Sequence, residues 1–154
     1  MIAALTSLQR LLLTAWVGAV WAIGYLAVPV LFAALDDRML AGALAGTMFE
    51  YVAWLGVVSA SAVLVLQLRT GRGGLSPVVL GCVVLMLALS LVGQFVIQPI
   101  MAELKAQAGP GGVMSGALRE RFGMWHGVSS VLYLCQSALG GLVIWRAGAA
   151  RPAA

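Results

Sequence analysis

Charge is the scarcest property of this sequence. Only 9% of its 154 residues are Asp, Glu, Lys or Arg, against roughly 25% in a soluble domain. So few charges cannot cover a water-facing surface, which excludes an ordinary soluble fold. Acids are scarcer than bases, five against nine, leaving a net charge of +4. No basic cluster with interleaved aromatics accompanies that excess, so nucleic acid is not an expected partner. Histidine occurs once, as His126. One chain therefore cannot supply both ligands of a bis-histidine haem; a two-fold partner or a methionine would have to complete it. The two cysteines, Cys82 and Cys135, both lie in apolar runs and imply no disulfide framework. Contact between them is compatible with their depths. No P-loop, G-x-G-x-x-G, H-E-x-x-H or G-x-S-x-G motif is present, so no reaction is indicated.

Hydrophobic residues fill the space that charge leaves, at 62%. They gather in four runs, about 11–35, 43–68, 75–99 and 122–145. At ~1.5 Å per residue the first run reaches ~37 Å, enough to cross a ~30 Å hydrocarbon core. It is too long for a signal-peptide core, and no small-residue cleavage site closes it early. The expected architecture is all-α, a single four-span membrane domain over 1–154 with the lipid bilayer as its partner. An even number of spans puts both termini on one side. That side carries Arg10, Arg69, Arg72, Arg146 and Arg151 and no acid, whereas the other carries Arg38, Lys105, Arg119 and Arg121. The positive-inside rule then favours cytoplasmic termini in an inner membrane.

The polar residues inside these runs are the informative ones. His126, Ser130, Tyr133, Ser137 and Gly140 step by four and three, so they share one helix face. Ser90, Gln94 and Gln98 step by four on the third run. Such stripes must face protein or water, because lipid offers no hydrogen-bond partner. Glu50 lies about two turns into the second helix; it either faces the interior or is hydrated at headgroup level. Pro29 and Pro99 deprive the carbonyls of Tyr25 and Phe95 of their helical donors, which predicts kinks. Gly42 and Gly46 form a G-x-x-x-G pair suited to close helix approach, and residues 108–112 break the chain before Ser115, a plausible N-cap. The topology brings Asp36, Glu50, Gln94, Gln98 and His126 to one end of the bundle. The expected ligand-binding residues are His126, Glu50, Gln94, Gln98 and Ser130, with Tyr25 near the floor and no catalytic residues.

Four segments, WVGAVWAIGYLAVPVLFAALDDR, AGALAGTMFEYVAWLG, LVGQFVIQPIMAELKAQ and RFGMWHGVSSVLYLCQSALGG, resemble the transmembrane protein 205-like family. Its members are small four-span bacterial membrane proteins catalogued as a domain of unknown function. Pro29, Phe32, Gly42, Phe49, Pro99, Met101, Phe122, His126 and Ser129 carry the resemblance. A remoter likeness is to the four-span part of copper-resistance D-type membrane proteins. Together these imply soft-metal handling, for which His126, Met124 and Met101 are the candidate ligands, with copper or haem as candidate cofactors. The expected function is a non-enzymatic membrane protein holding a small ligand or cation at its outer end. The alternatives are an assembly subunit of a membrane complex, or a haem protein or intramembrane enzyme using His126 and Glu50. The small-residue faces at Gly42, Gly46, Gly140 and Gly141 predict a homo-oligomer.

Overall fold

The computed structural model describes residues 1–108 and 113–149. The chain break expected at 108–112 therefore falls, Ala108 apart, outside the described residues, as does the tail from 150 onward. Four long helices make up the fold: α1 (Ile2–Ala34), α2 (Arg38–Thr70), α3 (Pro77–Ala106) and α4 (Gly116–Ala149). All four are long and apolar enough to cross a membrane, and the protein is an all-α integral membrane bundle. Each helix runs beyond the apolar stretch that marks it in the sequence. Exposed cations such as Arg69 and Lys105 stand on these end turns, where headgroup water solvates them while the backbone keeps its internal bonds. Ser115 stands directly before α4, and its carbonyl accepts from the Arg119 N–H at 2.8 Å.

α1 packs on α2 and α4, and α3 packs on the same two helices. The bundle is thus a ring in which chain neighbours are spatial neighbours and α4 closes back on α1. Met1, the 71–76 turn and residue 149 lie at one end, called here the terminal end. The 35–37 turn and residues 107, 108 and 113–115 lie at the far end.

Side chains tie off both ends. At the far end the Asp37 carboxylate caps α2, accepting from Met39 N (2.8 Å) and Leu40 N (3.1 Å), where an anion also suits the positive helix N-terminus. At the terminal end Gly71 takes φ 55°, a conformation that favours glycine, and stops α2. Gln67 then laces the α2–α3 turn. Its Nε2 donates to Gly71 O (2.8 Å), and its Oε1 accepts from Leu75 N (3.0 Å) and from Gln9 Nε2 (3.1 Å). Gln9 is fully buried and donates also to Val63 O (3.2 Å), which joins α1 to the same knot.

The packed core occupies the terminal half. Leu13, Trp16, Val17 and Val20 of α1 meet Val63, Val83, Met86 and Val143 of the other helices. Two glycines allow this contact. A Cβ at Gly56 would overlap the Trp16 indole, and one at Gly140 would come within 3.0 Å of both Val17 methyls. In lipid the gain from such fitting is van der Waals attraction rather than water exclusion.

The far half is built differently, because α1 and α3 each contain one π-helical turn, Ile23–Ala27 and Gly93–Ile97. In these turns Val28 N–H bonds to Ile23 O and Gln98 N–H to Gly93 O, reaching back five residues instead of four. Each wide turn ends two residues before a proline, Pro29 or Pro99. Where the sequence predicts a kink at the proline, the structure absorbs the missing donor as a bulge in the preceding turn. The helix then continues past the proline, to Ala34 in α1 and to Ala106 in α3.

Candidate functional site

Between the two wide turns the helices part around a cavity of about 1010 Å³ that opens at the far end. All four helices line it. α1 contributes Gly24, Tyr25, Val28 and Phe32, and α2 contributes Gly42, Gly46, Phe49 and Val52. This side of the wall is almost wholly apolar. α3 contributes Ser90, Gln94, Gln98 and Met101, and α4 contributes His126, Ser129, Ser130 and Gln136. The opposite side is therefore studded with amides and hydroxyls. Arg38 and Lys105 stand at the mouth.

Tyr133 closes the apolar side of the floor. Its ring lies against Gly24, where a Cβ would overlap it, and its hydroxyl donates to Val20 O. The ring meets Phe49 edge-on at 5.1 Å and Tyr25 at 6.3 Å. On the polar side Gln136 Nε2 donates to Ser90 Oγ at 3.1 Å, joining α4 to α3. Above this floor, the amides of Gln94 and Gln98 have no protein partner among the described residues. A side-chain amide at this depth needs a partner, so both are available to whatever fills the cavity. The cations are equally unengaged, since neither Arg38 nor Lys105 forms an ion pair among the described residues. Lys105 Nζ reaches over Gly46, 3.8 Å from where a Cβ would stand, so its ammonium group turns across the mouth towards α2.

Of the residues expected from sequence, Tyr25, Gln94, Gln98, His126 and Ser130 all line the cavity. Ser130 Oγ donates to His126 O (2.9 Å), and the imidazole stacks on Phe122 at 6.0 Å with ring planes 5° apart. Glu50 does not belong to the wall. Phe49, Val52 and Ala53 point α2 inward, and one residue along an α-helix turns ~100°, leaving Glu50 exposed on the outside. An acid–base pair of Glu50 with His126 is therefore not assembled here. The expected metal set, His126, Met124 and Met101, is not brought together on the cavity wall either. Met101 lines the cavity, but Met124, two residues from His126 and so ~200° away on the helix, is 58% exposed. Among the described residues no three His, Cys, Asp or Glu side chains converge. The cysteines are also apart in character, both free, Cys82 buried and Cys135 exposed.

Sequence reasoning overlooked the rim cations, the aromatic floor and the wide turns. Lys105 had a signal: it follows Gln98 by seven residues and continues the Ser90–Gln94–Gln98 stripe. Tyr133 too stood on the polar stripe of α4. Gly42 and Gly46, expected to draw helices together, instead meet only the side chains of Phe32 and Lys105 at van der Waals distance, and so hollow the α2 wall.

Fold and cavity together define a class, a four-span helical membrane protein hollowed in one half. The chain belongs to the family described as a domain of unknown function, DUF4149, which matches residues 11–110. That match takes in α1, α2 and α3; the α4 wall, with His126, Ser130 and Tyr133, lies beyond it. No curated protein and no solved structure matches the chain.

Proposed function

We propose that this protein is a non-enzymatic, membrane-embedded binding protein for a small organic ligand, held in the far half of the bundle. The cavity carries this reading: about 1010 Å³ with lining from all four helices. Binding sites of small molecules are concave, mostly apolar and furnished with a few convergent polar groups, and the two free amides fit that description. His126, Gln94, Gln98, Ser130 and Tyr25 are its candidate contacts. The cation version of this function is the weaker one, because the mouth bears Arg38 and Lys105 and like charges repel an entering cation. A homo-oligomer and cytoplasmic termini remain part of the proposal. The termini-side cations Arg10, Arg69 and Arg146, with no acid beside them, support the orientation.

The test is native mass spectrometry of protein extracted under mild conditions. A bound organic mass should be released from the natural protein and be missing from Gly46→Leu and Ala53→Leu, two substitutions that fill the cavity from α2. Equal retention by all three would overturn the reading. A Soret band or a metal retained after chelation would favour the haem or soft-metal alternative instead.

A further inference from the structure

Resting on the binding function just proposed, we infer that the ligand is a single-chain anionic lipid. Its phosphate or carboxylate is held between Arg38 and Lys105, and its chain lies along Phe32, Phe49 and Val52.

Charge is the first argument. Lys105 is exposed at the mouth, and it is not its stem alone that meets the protein. It folds over Gly46 across the mouth, and Arg38 lines the same opening. Two cations on one opening at a membrane surface, without an ion pair among the described residues, make that opening attractive to an anion. Of the far-end acids, the Asp37 carboxylate caps α2, Glu103 accepts from Gln107 Nε2, Asp36 and Glu120 are exposed, and none pairs with either cation among the described residues.

Depth is the second. Lys105 and Ser90, the mouth and floor of the α3 wall, are fifteen residues apart, or ~22 Å along a helix. One leaflet's acyl chain occupies ~15 Å, half of the hydrocarbon core, which leaves room for a headgroup above it. Gln98 lies ~10 Å below Lys105, where the linkage between head and chain would pass. Its free amide suits an ester or hydroxyl oxygen there. Volume decides the chain number. Allowing about 30 Å³ for each water-sized group, a single-chain lipid of roughly 28 such groups fills ~850 Å³, within the cavity of about 1010 Å³. A two-chain lipid of roughly 50 groups needs ~1,500 Å³ and would leave about a third of itself outside the cavity.

The experiment uses the full chain in nanodiscs of neutral phosphatidylcholine, titrated with five probes and read by native mass spectrometry. The probes are oleoyl-lysophosphatidic acid, oleate, oleoyl-lysophosphatidylcholine, glycerol 3-phosphate and dioleoyl-phosphatidylglycerol. One of the first two should bind at one per protein, at least tenfold more tightly than the choline lipid; which of them binds identifies the head as phosphate or carboxylate. The doubly substituted Arg38→Gln, Lys105→Gln protein should lose that preference, and Gly46→Leu should lose binding altogether. Ala53→Leu serves in its place should the first variant not elute as a folded species. Equal affinity for the choline lipid overturns the inference about charge. Binding of glycerol 3-phosphate as tight as that of the lipids overturns the need for a chain, and preference for phosphatidylglycerol overturns the single chain. In each of these cases loss of binding in Gly46→Leu leaves the binding function standing. Failure of all five probes overturns the inference, and the binding function falls with it only where no organic mass co-purifies either.

Discussion

Tyr133 is the residue on which the far half turns. It touches α1 through Gly24 and Val20, and α2 through Phe49, so three helices meet at one side chain. Its hydroxyl bond is worth little: interhelical hydrogen bonds in membranes average ~0.6 kcal/mol. Tyr133→Phe should therefore cost less than ~1 kcal/mol by unfolding in mixed micelles. Gly24→Ala should cost more, about 1–3 kcal/mol, because overpacking forces the ring aside. That penalty should shrink in a Tyr133→Leu background, where the clash is gone; an undiminished penalty would show that the glycine serves its own helix instead. Glu50 and His126 make the opposite case. They have no contact in common, so Glu50→Gln and His126→Gln should add within about 0.5 kcal/mol, as independent sites do. The sequence allowed either reading of Glu50, because apolar residues surround it on every side and leave its helical phase undetermined.

At the scale of the helix, two devices shape the bundle. The Gln67 side chain bonds Thr70 Oγ1, Gly71 O and both Leu75 N and O at the α2–α3 turn, and Gln9 of α1. Gln67→Leu strips Leu75 N–H of its partner, whereas Gly71 O keeps the Gly74 N–H, and an unsatisfied group costs about 1–3 kcal/mol. Unfolding in mixed micelles should detect that loss, and amide exchange at Leu75 should quicken with it. A variant as stable as the natural protein would mean that water takes over these bonds. The wide turns are the second device, and they mark the limit of what the sequence disclosed. The four helices were legible because apolar runs of this length have one stable answer in lipid. Pro29 and Pro99 were legible as interruptions. How each helix would accommodate its proline was not, since an extra residue in one turn barely disturbs a periodicity read over a dozen. The polar stripe on α3 was recognised, yet its continuation to Lys105 was hidden behind Pro99, where a kink would have turned the later residues off the face.

Taken whole, the molecule is a socket, packed at the terminal end and hollow at the far end. Which side of the membrane the socket faces follows from a thiol at Asp36→Cys in a Cys135→Ala background. With cytoplasmic termini an impermeant reagent should label it on intact cells; labelling only by a permeant one reverses the orientation and opens the socket to the cytoplasm. In electrical terms, the packed half is an insulator in series with a polar-lined vestibule. Trp16, Val83 and Met86 are fully buried and offer no ion a path, so the membrane voltage falls mainly across them. Moving one elementary charge through the whole voltage is worth ~2.3 kcal/mol per 100 mV. An anion resting at Arg38 and Lys105 stands outside nearly all of that drop, so its binding should be the same in polarised and depolarised vesicles. A charge carried down to Ser90 would feel part of the drop, which makes voltage a ruler for how deep an occupant's charge sits.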